Sequence, residues 1–220
     1  PALAEGRGIA TLIAGAGLSP FVGAAGLEIQ ARRDGDGWVL DGTAPQVLDG
    51  DTADTAFVVA RLDDGGMGLF EVPAGLAGVT RSALAAWDLS RPQARWQLEG
   101  VRLGAEARLD APGALDGGLS AALATTALLL AAEQVGGAAR CIELTVAYTK
   151  ERQQFGRPVA AFQAVKHRCA EMMVKLEGAR SALGGALAAC AGLQGALALD
   201  EIAVARVQAA EAYRFCAAEA

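Results

Sequence analysis

The sequence predicts an α+β chain in two parts: a small β barrel or sandwich over residues 1–112, then an antiparallel helical bundle over 113–220. Three observations predict it. Short runs of alternating apolar and polar residues, separated by Asp-Gly and Gly-Gly pairs, fill the first half. Apolar residues spaced three and four apart fill the second. The composition changes at the same point: all three Trp and six of the seven Pro precede residue 113, whereas all four Cys and the only His follow it. Charge divides with them. Residues 1–112 carry 15 acidic and 9 basic side chains, a net −6, and residues 113–220 carry 10 of each.

In chain order, Leu27 to Arg32 alternates as a strand and runs into Asp34-Gly35-Asp36-Gly37 and then Trp38-Val39-Leu40. Asp-Gly pairs tolerate positive φ, so this reads as a hairpin. Asp41-Gly42 reads as a second turn on the same ground. Phe57 to Ala60 is a short apolar strand, and Asp63-Asp64-Gly65-Gly66 turns it into Met67 to Val72. Arg95 to Glu99 alternates again. Around Pro112-Gly113 the period becomes helical. Residues 117–151 make one long helix, with Gly136-Gly137 inside it at some cost in stability. Phe155-Gly156-Arg157-Pro158 breaks that helix. Phe162, Val165, Cys169, Met172, Leu176, Ala179 and Leu183 then mark one face of a second helix. A third runs from near Leu197 to Ala220 without a cap, so further sequence beyond Ala220 is expected. Three long helices call for a fourth to close a bundle.

Several functions are excluded. An acidic chain that is 53% hydrophobic is neither disordered nor suited to phosphate-backbone binding. No basic segment precedes an apolar core at the start, so no secretory signal is read there. Leu119 to Ala139 is long enough for a membrane span. It carries Ser120, Thr125, Thr126, Glu133 and Gln134 on an Ala-rich background and reads as a bundle helix. Cys141, Cys169, Cys190 and Cys216 show no CxxC and no metal-type spacing with His167, so no metal site is expected and a reducing, cytoplasmic setting is inferred. One His builds no Ser-His-Asp set, and His167, between Lys166 and Arg168, reads as a helix-surface residue. Glu133 is a candidate base if buried and an ordinary surface carboxylate if not. Gly6-Arg7-Gly8 and Gly15-Ala16-Gly17 do not make a GxGxxG between strand and helix, and read as loop punctuation.

One segment is far more specific. Tyr148-Thr149-Lys150-Glu151-Arg152-Gln153-Gln154-Phe155-Gly156-Arg157-Pro158-Val159 is followed by Phe162-Gln163-Ala164-Val165-Lys166-His167, then Ala170-Glu171-Met172-Met173. This RxxFG turn and FQ helix start closely resemble the acyl-CoA dehydrogenase family. Asp34 to Thr43 and Ala53 to Ala60 resemble its middle β domain, and Val101-Arg102-Leu103-Gly104 resembles the strand leading to its helical domain. The resemblance covers nearly the whole chain. It implies an architecture of N-terminal helical domain, middle β domain and C-terminal bundle, in which residues 1–112 are the middle domain and 113–220 an incomplete bundle, with the N-terminal helical domain absent.

The resemblance also implies a reaction, the α,β-dehydrogenation of an acyl-CoA thioester with FAD as hydride acceptor, on a fatty acid or steroid side chain. It implies an oligomer, homomeric or heteromeric, in which the RxxFG turn reaches the FAD of a neighbouring subunit. That role falls on Arg152 and Phe155, and by proximity in the motif on Gln154 and Gln163. A guanidinium suits pyrophosphate oxygens, and an aromatic beside Gly offers a flat contact. The alternative for Arg152 is an ion pair with Glu151 or a nearby Asp. No catalytic Glu is identified: members that carry the base on the first bundle helix have it at the position of Thr126, and Glu133 lies seven residues further, about 10 Å along the helix. The family's Thr-Glu-Pro and Gly-Ser-Asp elements are replaced by Ile13-Ala14-Gly15-Ala16-Gly17-Leu18-Ser19-Pro20. Its flavin-bordering Trp and Thr align with Gln46 and Leu48, and a first-helix Arg aligns with Ala127. Partner-facing residues are kept while own-site residues are lost. The expectation is a degenerate subunit that lends Arg152 and Phe155 to a partner's FAD. An acyl-CoA oxidase or flavin monooxygenase of the same fold, and a cofactor-free structural subunit, are the alternatives.

Overall fold

The structure, a computed structural model, describes residues 3–15, 27–111, 115–192 and 198–220. Most of the Gly15 to Pro20 run, the Pro112-Gly113 boundary and Leu197 lie outside the described residues. The chain divides into two units, residues 1–120 and 121–220.

Among the described residues the first unit holds seven strands: β1 Ala10–Ile13, β2 Ile29–Asp34, β3 Gly37–Leu48, β4 Thr55–Leu62, β5 Met67–Pro73, β6 Val79–Ala83 and β7 Gln93–Leu103. They form one mixed sheet in the order β1-β4-β2-β3-β7-β6, with β5 on the other side of β4. The β2–β3 hairpin forms where the sequence places it. Asp34 pairs with Gly37 across a two-residue loop, and Gly35 takes φ 60°. Asp63 to Gly66 likewise turns β4 into β5, with the Gly66 amide capped by the Asp64 carboxylate at 2.9 Å. Alternation along β3, β4, β5 and β7 buries Leu40, Val58, Phe70, Val72, Trp96 and Leu98 in one core.

Asp41-Gly42 corrects the expectation. It is no turn: the 12-residue β3 runs straight through it, and the extra residue of the bulge opposite lies on β7, at Glu99-Gly100, where Gly100 takes φ 60°. Gly42 sits at φ 141°, and a Cβ there would strike the Glu28 carbonyl and lie 2.8 Å from the Ile29 Cα. Only glycine lets β2 approach so closely while β3 continues toward β7. The Asp41 carboxylate instead accepts a 2.6 Å bond from the Gly100 amide.

Two devices brace this core. The Trp96 indole donates to the Gly50 carbonyl at 2.8 Å, and Arg81 donates to the Ala53 carbonyl at 2.8 Å and the Asp51 carbonyl at 3.3 Å. The β3–β4 connection is thereby tied to β6 and β7. Asp110 accepts two bonds from Arg108, at 2.8 and 3.1 Å, and a third from the Leu69 amide at 2.7 Å. Burial alone would raise the Asp110 carboxyl, but these donors hold it below the ordinary carboxylate value.

The second unit is built on α1 Leu115–Glu151, α2 Gln163–Gly192 and α3 Leu199–Glu219. α1 is long and apolar enough to cross a membrane by length and composition. It lays Ala124, Ala127, Ala131, Val135, Ala138 and Ile142 into a core shared with Met172, Leu176 and Ala179 of α2 and Ile202, Ala205, Ala209, Ala212 and Cys216 of α3. Met172 meets Cys216, Arg168 pairs with Glu219 at 3.0 Å and Gly178 faces Gln208, so α2 and α3 run antiparallel. Arg206 of α3 donates to Gln134 of α1 at 2.5 Å. The predicted face of α2 is inward as expected. Glu133 and His167 are both exposed, which removes the condition for Glu133 as a buried base. All four cysteines are free thiols.

Candidate functional site

The break between α1 and α2 is a miniature hairpin. β8 (Gln153–Gln154) pairs antiparallel with β9 (Arg157–Pro158), Gln153 facing Pro158 and Gln154 facing Arg157. The last turn of α1 continues into it through the Arg152 amide, which donates to the Tyr148 carbonyl at 2.9 Å. Its base is closed by the Val159 amide on the Arg152 carbonyl at 2.8 Å. Val159–Ala161 then makes one 3-10 turn, and Gln163 opens α2.

Two-residue hairpins require positive φ at both central positions when the turn is of type I′. Phe155 at φ 53° and Gly156 at φ 73° meet that requirement. Asn is the residue favoured at the first of these positions; an aromatic there is unfavourable by roughly 1 kcal/mol. The Phe155 side chain is 91% exposed. An aromatic held in a disfavoured backbone state and 91% exposed buries almost no apolar surface for the chain's own fold.

Arg152, Gln154, Phe155 and Gln163 thus fall on one hairpin and the helix start beside it, all exposed. The ion pair offered as the alternative for Arg152 does not form: among the described residues no carboxylate pairs with it. Ion-paired carboxylates of this unit serve other cations, Glu143 with Arg140, Glu171 and Glu219 with Arg168, and Glu177 with Arg180. Arg152 therefore presents a guanidinium without an ion pair among the described residues, at the base of a hairpin whose tip carries an exposed aromatic. That combination suits a planar or phosphorylated anion.

Sequence reasoning missed one feature here. The Arg157 guanidinium lies 4.2 Å from the Phe162 ring centroid, and Phe162 meets Phe155 edge-on at 6.2 Å and 82°. An Arg five residues before an aromatic was the available signal, but it is meaningless until a hairpin folds the two together.

The β unit shows what stands at the positions aligned with the flavin wall. Gln46 and Leu48 both point outward from β3, while Val47 between them is buried. The Gln46 amide is engaged by Gln93 at 2.6 Å, and Leu48 is an exposed aliphatic whose carbonyl takes the Thr11 hydroxyl at 2.7 Å. Neither offers a flat aromatic wall or a hydroxyl donor. Ala127 is buried in the helical core and Thr126 turns its hydroxyl to the Ala122 carbonyl at 2.9 Å. Among the described residues no group of three or more His, Cys, Asp and Glu could hold a metal ion.

Comparison with known proteins points the same way. Residues 118–220 match the family model of the acyl-CoA dehydrogenase C-terminal domain. A 74-residue stretch is 53% identical to acyl-CoA dehydrogenase IpdE2 of Mycolicibacterium smegmatis, covering 34% of this chain and 24% of that protein. The fold superposes with a TM-score of 0.81 and 31% identity on a chain of the ChsE4-ChsE5 complex from Mycobacterium tuberculosis, over 99% of this chain and 56% of that one. A glutaryl-CoA dehydrogenase from Mycobacterium smegmatis in complex with FADH2 matches at TM-score 0.83 and 27% identity, over 100% of this chain and 57% of that one. The chain spans little more than half the length of these solved structures and matches about a quarter of the curated relative.

Proposed function

We propose that this chain, which belongs to the acyl-CoA dehydrogenase family, serves as a subunit of a heteromeric acyl-CoA dehydrogenase and lends its α1–α2 hairpin to an FAD held by a partner. The observation that carries this reading is the exposed, unpaired Arg152 beside Phe155 on a closed hairpin. FAD, when bound, supplies the hydride acceptor for α,β-dehydrogenation of an acyl-CoA thioester. Arg152 would hold a pyrophosphate oxygen through its paired N–H groups. Gln154 and Gln163 would add neutral donors, and Phe155 would exclude water from the contact. No residue of this chain is assigned as the base.

The residues of its own β unit fit the flavin poorly. Gln46 is already bonded to Gln93, and Leu48 carries no donor. Losing a buried partner costs about 1–3 kcal/mol, a roughly 5- to 150-fold loss of affinity. The likeness to a chain of a two-component complex supports a division of labour between subunits.

Purifying the full-length protein alone, and again with a co-expressed flavin-binding family member, tests the reading. The expected result is little visible flavin absorbance alone and stoichiometric flavin in the complex. A stoichiometric flavin band and acyl-CoA dehydrogenation by the isolated protein would overturn it.

A further inference from the structure

The hairpin leaves one cation without an assigned role. Arg157 forms no ion pair among the described residues, yet its guanidinium is packed at 4.2 Å on the Phe162 ring. Phe162 in turn carries the edge-on Phe155 ring at 6.2 Å. The three side chains form a continuous stack from β9, through the residue before α2, to the hairpin tip.

The tip needs such support. Each hairpin strand has two residues, and the backbone is closed at its base by the Val159–Arg152 bond. That ladder is too short to fix a side chain at its far end. Phe155 also sits at φ 53°, a state an aromatic residue holds only where its surroundings over-determine it. The backbone supplies one constraint and the stack supplies the other. A guanidinium over an aromatic face is attractive on its own account, and it presses Phe162 into the position that receives the Phe155 edge.

Resting on the proposal that this tip docks on a partner, we infer that Arg157 is a positioning residue that fixes Phe155 through Phe162 and does not itself hold the anion. Arg152 and Arg157, two residues of one basic turn, then have different work. Arg152 supplies charge to the contact, and Arg157 supplies order to the ring beside it. Pre-ordering the tip lowers the entropy lost when it docks.

The full-length chain with 4-fluorophenylalanine at its six phenylalanines reports the tip directly. The Phe155 resonance is assigned by its loss in Phe155→Asn, a substitution that suits the turn. In Arg157→Gln the Phe155 resonance is expected to move toward the free amino-acid position. The Val159 amide should exchange about three- to fivefold faster, the factor that one exposed cation–π contact is worth. Arg157→Tyr, which stacks without charge, should restore both signals. Arg157→Lys should restore them in part. An unchanged Phe155 resonance and Val159 exchange in Arg157→Gln would overturn the inference.

Binding to a flavin-loaded partner separates the two proposals. Arg157→Gln should weaken association while leaving its salt dependence unchanged, whereas Arg152→Gln should reduce that dependence. A salt dependence altered by Arg157→Gln and not rescued by Arg157→Tyr would make Arg157 an anion ligand and overturn the positioning role. Loss of tip order in Arg157→Gln with unaltered flavin retention in the complex would instead reject the docking role and leave the positioning role standing.

Discussion

The Asp110 carboxylate is 4% exposed and its partner Arg108 12%, so this ion pair belongs to the interior of the β unit. It is not an isolated pair. Arg108 also lies over the Trp38 ring at 5.3 Å, and Trp38 packs edge-on against Phe70 at 5.2 Å. The sign of its pH dependence follows from the direction of the shift. Asp110 titrates below the ordinary carboxylate value in the folded chain, so its stabilisation is present above the unfolded value and is lost as pH falls through the folded one. Asp110→Asn is expected to lower stability near neutrality by about 3 kcal/mol, because it leaves Arg108 buried without its countercharge. It should also flatten the acid limb below about pH 4. Thermal melts of both proteins across pH 3 to 7 measure this; parallel curves would contradict it. A second residue should respond in the opposite direction. The Thr55 hydroxyl is buried and has no hydrogen-bond partner among the described residues. Thr55→Val keeps the shape and suits a strand, and should raise the denaturant midpoint by an amount equivalent to about 1 kcal/mol.

At the scale of elements, the paired glycines of α1 separate two reasons for a glycine in a helix. A Cβ on Gly136 meets nothing within 4 Å, whereas one on Gly137 would lie 2.7 Å from the Tyr213 ring of α3. Gly136→Ala should therefore stabilise the chain by the helix propensity difference, about 1 kcal/mol. Gly137→Ala should return none of it, since the ring must move. Equal gains in the two variants, read from urea unfolding, would show that Tyr213 does not use the gap. The helices were legible because the period is long and repeated: of the seven apolar positions from Phe162 to Leu183, Met172, Leu176, Ala179 and Leu183 join the helical core, Val165 and Cys169 are half-buried on α2, and Phe162 precedes the helix. β6 was not legible. It is an edge strand with Thr80, Arg81, Ser82 and Ala83 all exposed, so no alternation marks it, and its pairing to β7 is set by the sheet. Asp41-Gly42 misled for the opposite reason, since a glycine that reads as a turn also serves inside a strand where a neighbouring backbone comes close, as Glu28 and Ile29 do here. In the hairpin, Arg152 and Phe155 were singled out by motif, and the structure places both on it. The Arg157–Phe162–Phe155 stack was not, because it exists only after β9 folds back.

At the scale of the whole molecule, the net charge of −6 misdescribes the surface that matters. The excess acid lies within residues 1–112, and residues 113–220 are balanced, with Arg152 and Arg157 close together in the hairpin. An overall acidic chain can thus carry a local anion site, provided the local carboxylates are committed elsewhere. Four carboxylates of this unit are so committed, Glu143 to Arg140, Glu171 and Glu219 to Arg168, and Glu177 to Arg180, and Glu151 next to Arg152 forms no ion pair with it. Arg152 is free of such pairing among the described residues, so its side chain contributes little to the stability of the isolated chain. Arg152→Gln should leave the melting temperature within about 2 °C of the parent. In complex with a flavin-binding partner the same substitution removes a charge-assisted contact worth about 1.5–3 kcal/mol, and flavin retention should fall by roughly 10- to 100-fold. Arg152→Lys keeps the charge but not the paired donors, and should recover part of that loss. Fluorescence titration of flavin release from the three complexes reads the difference. Equal retention in all three would mean that the hairpin does not meet the flavin. A large drop in the melting temperature of the isolated Arg152→Gln chain would mean that Arg152 serves the fold of this chain, and its exposed charge would then need no partner at all.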